Sequence, residues 1–551
     1  MIEFAGYHIV EKLFESYNSF VFRALDIETK LPVIIKVLKG EYPSPDKITR
    51  FTREYEILRD LNLEGVIKVF SLKSYNNSYA IMMEDFGGIS IKKALETRKL
   101  NLNEFLKLSI RISYILGQLH QLNIIHKNIN PTNIIWNQET DQVKIIDFGI
   151  STVLSREVAA IQNPNEFEGT LSYISPEQTG RMNRMLDYRT DMYSLGVTLY
   201  EMLTGQLPFI TNNVMELVHC HIAKDPVPPA KLIISQGLQE QKAMEILSKI
   251  ILKLMAKNAE ERYQSAFGLN TDLENCLEQL HTTGKIKDFI IAGKDYSDRF
   301  QIPQKLYGRE KEIEILLNSF DRICQSTKEM MMVSGYSGIG KSALVNEIHK
   351  SVVAKKGYFI SGKFEQFKRN IPYSSLIQAF QQLIKQILTE SEEQIANWKE
   401  EILEAVCPNG QVIIDVIPEV VLIIGKQPPA PELSSQESQN RFNLYFKNFI
   451  RTFANEGHPL TIFLDDLQWI DLPSLNLVEL FLTDSETKYL FFIGAYRDNE
   501  VDNSHPLLIA LDKIEKAGTK INKLSLSSLN FSNVNLLLAD TLKCSTDKTE
   551  E

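Results

Sequence analysis

The chain has 551 residues, 44% of them hydrophobic and 24% charged, with a formal net charge of −10. That length excludes a single core and requires about three to five folding units. The composition excludes wholesale disorder, and the mildly acidic balance leaves no basic footprint for nucleic acid. The N-terminal stretch "MIEFAGYHIVEKLF" lacks a cationic segment followed by a long apolar one, and no apolar run approaches the ~18 residues that span a bilayer. Cys220, Cys276, Cys324, Cys407 and Cys544 have no CxxC spacing, which argues against a disulfide framework or zinc site and for a reducing cytoplasm. His219 and His221 in "HCHIA" have no accompanying acid or His cluster and read as ordinary helix residues.

In chain order, residues 7 to 38 alternate apolar and polar in three runs, "YHIVEKLF", "SFVFRALD" and "LPVIIKVL", as an antiparallel meander does. "SPDKITRFTREYEILRDL" then takes helical spacing, with Asp46 as its expected N-cap. From about residue 102 to 280 the period is mostly helical. "KIKDFIIAGKDYSDRFQIPQKLYGRE" has little period and reads as a linker. The second half mixes helices with short apolar runs such as "MMMVSG" and "LTIFLDD", as a parallel α/β sheet does.

Lys36 ends an apolar strand, and a buried lysine requires a partner, for which Glu54 on the following helix is the candidate. Further on come "HKNINPTN" (126–133), "IIDFG" (145–149), "SPE" (175–177), "DMYSLG" (191–196) and Arg262 in "ERYQSA". Any one is a weak signal. The ordered series resembles the protein-kinase family. That resemblance implies that Lys36 pairs with Glu54 and holds the α and β phosphates of ATP, that Asn133 and Asp147 hold Mg²⁺, and that Glu177 bridges to Arg262. It makes Met83 the gatekeeper, Glu84 to Phe86 the adenine-facing hinge, and Asp147 to Glu177 the activation segment, with Thr170 near the substrate.

The departures are equally specific. "LFESYNSFV" carries Phe14, Ser16 and Ser19 where the family's phosphate loop has glycines, which weakens phosphate cover, although Ser16 and Ser19 keep backbone N–H groups and add hydroxyls. Asn130 replaces the usual lysine. Asn128 stands where the family carries its catalytic Asp.

"GYSGIGKS", Gly335 to Ser342, is a complete GxxxxGK[ST] between the strand-like "EMMMVS" and the helical "ALVNEIHKSVV". Gly335, Gly338 and Gly340 let backbone N–H groups cradle phosphates, Lys341 reaches the β and γ oxygens, and Ser342 ligates Mg²⁺. In "PLTIFLDDLQWIDLPS", Asp465 at the strand end is suited to Mg²⁺ and Asp466 to polarising water. Arg497, ending "FFIGAYR", is either a γ-phosphate sensor or a surface salt-bridge residue.

"LYGRE", "GYSGIGKS", "DDLQW" and "AYRDNE" together resemble the AAA-like ATPases of the STAND class. The order of the two halves is similar to that of cyanobacterial-type hybrid sensors, in which a Ser/Thr kinase and an ATPase precede a histidine kinase. In that group the catalytic loop resembles "HKDINPSN" and the phosphate loop lacks glycines, so Asn128 departs even from these relatives. The resemblance also implies a start near the adenine for "LYGREKEI", and a lid and winged helix after "LSLSSLNFSNVNLLLADTL". Only a polar tail follows, and no His autophosphorylation is expected.

The expected fold is therefore multidomain: an α+β two-lobed kinase fold over 1–285 (lobes about 1–86 and 87–285), a linker over 286–305, an α/β P-loop NTPase domain with a parallel sheet over 306–535, and a tail over 536–551. Its cofactors are ATP and Mg²⁺, and its partners are protein substrates or signalling proteins, with self-association through the ATPase domain compatible with that class. Two functional readings follow: a Ser/Thr kinase fused to an ATPase switch, or a pseudokinase scaffold in which only the P-loop domain hydrolyses ATP.

Overall fold

The first 85 residues supply a five-stranded antiparallel sheet, in the order β1 (Tyr7–Glu15), β2 (Ser19–Asp26), β3 (Pro32–Leu38), β5 (Ser78–Glu84) and β4 (Val69–Tyr75). These features belong to a computed structural model that describes residues 4–550 except 5, 17, 41, 76, 154–169, 181–185, 212, 234–237, 296–302, 304, 367–371, 389, 391, 503 and 543. Period two sends Val33, Ile35 and Val37 of β3 into one apolar cluster with Ala80 and Met82 of β5, while Leu38, Ile81 and Met83 face the main core. Lys36 lies on that second face, above helix α1 (Pro45–Asp60). The helix starts two residues earlier than expected: Pro45 sits in its first turn and Ser44, not Asp46, is the N-cap.

The lobe that follows is helical, and the helix Arg189–Thr204 runs through its centre, buried on almost every side. The helix Leu102–Gln121 opens with a capping box between Asn101 and Glu104 and packs along the helix Ala266–Thr283. Residues 286 to 295, read from sequence as linker, are in fact held on this lobe. Ile286 is buried in its core, Phe289, Ile291 and Ala292 pack against it, and Asp295 accepts hydrogen bonds from Gln264 N and Ser265 Oγ. Apolar residues at irregular spacing carry too little period to reveal such docking.

The second half forms a five-stranded parallel sheet in the order Tyr358–Lys363, Leu460–Asp465, Leu490–Tyr496, Lys328–Ser334, Lys520–Ser525. Its three inner strands are buried on both faces. Met330 and Met332 enter one core and Met331 and Val333 the other, which explains why "MMMV" shows no polar alternation. The expected tail begins inside a helix, Phe531–Leu542, so residues 536 to 542 are structured. Tyr307 bonds to Asp540 and Arg309 to Ser527, so "LYGRE" is clasped by this C-terminal segment. Among the described residues no helix is long and apolar enough to cross a membrane.

Candidate nucleotide sites

Between the first two lobes, Lys36 Nζ donates to both Glu54 carboxylate oxygens at 2.7 Å and to Asp147 Oδ1 at 2.9 Å. Burial works against the ammonium, but the carboxylates of Asp147 and Glu54 together outweigh it and hold Lys36 above the ordinary lysine range. The same lysine charge holds Asp147 below the usual carboxylate range. Asp147 has a φ of +69°, which turns its carboxylate toward Lys36 while Phe148 is fully buried against His126.

The catalytic-loop segment is fixed from below. Asp191, on the central buried helix, accepts from the backbone N–H groups of His126 and Lys127 at 2.8 and 2.7 Å. Asn128 Oδ1 accepts from Thr170 N, Thr170 Oγ1 and Asn130 Nδ2 at 3.2, 3.0 and 3.0 Å, and its Nδ2 points at Asp147 Oδ2 at 3.4 Å. Asn133 Nδ2 donates to Asn128 O at 3.0 Å. Lys36, Glu54, Asn128, Asn133 and Asp147 thus converge. Of the activation segment, residues 154–169 lie outside the described residues.

Two sequence expectations change here. Ser16 N donates to Ser19 O at 2.9 Å, and Ser19 N to Ser16 Oγ at 2.9 Å, so the N–H groups counted as phosphate donors are used within their own turn. Side-chain hydroxyls compete for local backbone donors, a tendency glycine lacks. At the hinge, Met83 is buried in the core, the Glu84 side chain turns away to Lys144 and Lys68 N at 2.6 and 2.7 Å, and Phe86 O accepts from Asn137.

Glu177 and Arg262 form a two-pronged pair at 2.6 and 2.8 Å, both buried. Burial pushes the Glu177 carboxyl up, but the guanidinium prevails and holds it at about 2 against an ordinary value of 4.5. Glu177→Gln leaves a buried guanidinium without its counter-charge, and a loss of about 3–5 kcal/mol is expected in urea unfolding. Because the folded value is depressed, the carboxylate's contribution is complete above about pH 4.5 and is lost as the pH falls toward about 2. The stability gap between wild type and Glu177→Gln therefore narrows over that window.

In the second half, Gly335, Gly338 and Gly340 have φ of +146°, +78° and +100°, a backbone that only glycine adopts without strain. The loop curls around Lys341, whose buried Nζ donates to Gly335 O and Tyr336 O at 2.8 and 2.9 Å; burial lowers its pKa. Ser342 Oγ donates to Asp465 Oδ2 at 2.7 Å, joining the loop to the neighbouring acid strand. These hard oxygen groups and the open glycine cradle fit a magnesium–phosphate ligand.

Asp466 has φ +56° and is buried. It accepts from Gln468 Nε2 at 3.0 Å and faces two cations, Lys363 at 3.2 Å and Arg497 at 3.5 Å. Lys363 was not a sequence candidate: only the parallel register, which pairs Lys363 with Asp465, brings it here. Arg497 also pairs with Glu500 at 2.8 Å and lies over the Trp469 ring, which is the salt-bridge role considered for it. The strand Leu490–Tyr496, which ends just before Arg497, lies between the acid strand and the loop strand, and Gly494 on it permits the close approach of Leu467.

Fold and sites define the class: a protein kinase domain joined to an AAA-type P-loop ATPase domain. Residues 7–273 match the protein kinase domain family and residues 305–493 the AAA ATPase domain family. The chain is 33% identical over 470 residues to hybrid signal transduction histidine kinase G of Dictyostelium discoideum, covering 70% of this chain and 13% of that protein. It is 25% identical over 421 residues to histidine protein kinase 1 of Candida albicans, covering 69% of this chain and 17% of that protein. It is also 31% identical over 256 residues to the serine/threonine-protein kinase PknB of Mycobacterium leprae, covering 45% of this chain and 39% of that protein. The chain thus spans well under half the length of each.

Proposed function

We propose that this chain is an ATP-dependent serine/threonine protein kinase fused to a P-loop ATPase switch, acting in cytoplasmic signal relay of the hybrid-sensor kind. The observation that carries the reading is the bridge of Lys36 to both Glu54 and Asp147, an ion cluster with the charge pattern needed to grip nucleotide phosphates. Lys36 orients the phosphates, Asn133 and Asp147 would hold Mg²⁺, and Met83 with the backbone of Glu84 to Phe86 lines the adenine side. When bound with ATP, Mg²⁺ would supply charge neutralisation at the phosphates. Asn128 orients a protein hydroxyl through Oδ1 but takes no proton, which removes about 10²–10⁴-fold, or roughly 3–5.5 kcal/mol of barrier lowering. In the second domain the loop from Gly335 to Ser342 binds phosphates, Ser342 and Asp465 would hold the metal, Asp466 polarises water, and Arg497 attends the γ-phosphate.

The alternative, a nucleotide-binding pseudokinase scaffold, is favoured by two observations: the amide at Asn128 and the self-satisfied turn from Ser16 to Ser19. Both readings require two separate nucleotide sites. In calorimetric titrations, Lys341→Ala is expected to abolish the second-domain site and leave the first, and Lys36→Ala the reverse. Loss of both sites from either change would overturn the two-site assignment.

A further inference from the structure

The helix that follows the P-loop does not run straight. It spans Lys341–Asn346, tightens at Glu347 and Ile348 through i to i+3 bonds onto Leu344 O and Val345 O, and resumes as His349–Ala354. A tightened turn inside a helix marks a hinge or a strained stretch. Beyond it, Val353 leaves its own domain and packs against Val218 and Ile222 of the kinase-lobe helix Val214–Ala223, both fully buried. A second link lies at the start of that helix. Its N-cap Asn213 accepts from Glu216 N at 2.9 Å and donates from Nδ2 to Gln394 Oε1 of the ATPase domain at 2.9 Å.

The kinase-lobe helix is itself anchored toward the catalytic loop. His221 is buried, its Nδ1 meets Tyr193 Oη at 3.0 Å, and Lys257 Nζ donates to Cys220 O and His221 O at 3.0 Å each, capping the last turn. The helix packs on the turn Leu171–Tyr173, directly after Thr170, whose hydroxyl and N–H bond to Asn128.

We infer that the helix Val214–Ala223 is a docking surface for the chain's own ATPase domain, and that nucleotide held at the P-loop is communicated through the Glu347–Ile348 turn and Val353 to the segment around Thr170 and Asn128. The physical basis is continuity: Ser342, at the phosphates, and Val353, at the interface, lie about 16 Å apart along one interrupted helix. Reorientation of its first half on ligand binding must be absorbed at the turn or passed to Val353. Packed contacts transmit such shifts because they are not continuously deformable. The inference rests on nucleotide binding at the P-loop and says where that binding is felt.

Hydrogen exchange on the full chain tests it, using MgATP and the Lys36→Ala variant so that only the P-loop site fills. Saturation is expected to change exchange of amides in 214–223 and 171–173 by about fivefold or more, the lower range of intersite coupling. Lys341→Ala is expected to remove the change. Val353→Asp, a charge placed in the apolar contact, is expected to remove it while fluorescent-nucleotide titration still reports P-loop binding. Asn213→Ala, a milder variant that leaves the apolar contact in place, is expected to reduce it. Full P-loop occupancy with unchanged exchange would overturn the inference alone, as would a response that survives Val353→Asp. Absence of binding to Lys36→Ala would overturn the ATPase assignment and this inference with it.

Discussion

Asn128→Asp is expected to raise phosphate transfer to a generic protein substrate by about 10²-fold or more, measured with radiolabelled ATP in a Lys341→Ala background that silences the second site. The surroundings of Asn128 are already built for a base: Oδ1 faces Thr170, the loop backbone is held by Asp191, and Lys36, Asn133 and Asp147 converge beside it. The missing element is proton affinity. A carboxylate there would also face Asp147 Oδ2, now 3.4 Å from Asn128 Nδ2, and Asn130 supplies no cation to offset the repulsion. Asn128→Asp combined with Asn130→Lys is therefore expected to exceed the single variant. An unchanged rate in both, with ATP still bound, would mean that the base is not the main defect and would favour the scaffold reading.

Asp466→Asn is expected to lower ATP hydrolysis by on the order of 10²-fold while changing ATP affinity only a few-fold, because it removes the acid and keeps the shape. The substitution suits the site, since Asn tolerates the left-handed backbone that residue 466 adopts at φ +56°. Asp465→Asn is expected to weaken magnesium-dependent binding as well, since Asp465 is joined to Ser342 at 2.7 Å. Lys363 adds a distinction that sequence did not offer. It pairs with Asp466 at 3.2 Å, so Lys363→Ala is expected to alter hydrolysis more than binding. Steady-state phosphate release decides the matter: equal turnover by wild type and Asp466→Asn, above background, excludes the proposed role of Asp466.

What the sequence by itself determined is local chemistry. The glycines of "GYSGIGKS", the strand ending in Asp465 and Asp466, and the ordered run from Lys36 to Arg262 are legible because each demands particular residue types over a few positions, and because periods of two and 3.6 distinguish strands from helices. The partner of Lys36 was legible because a buried charge requires its opposite, and that of Glu177 through the resemblance to the protein-kinase family.

Tertiary structure alone decided contacts that depend on register, crossing and docking. Lys363 reaches Asp466 only through the parallel pairing of two strands far apart in the chain. Ser16 and Ser19 satisfy each other because the turn closes on itself, and Ile286 and Asp295 turn an unpatterned stretch into part of the kinase lobe. Val353 meets Val218 and Ile222 by the way two domains come together. An apolar side chain records that it will be buried, through its cost in water; what buries it is fixed by the packing of the whole chain.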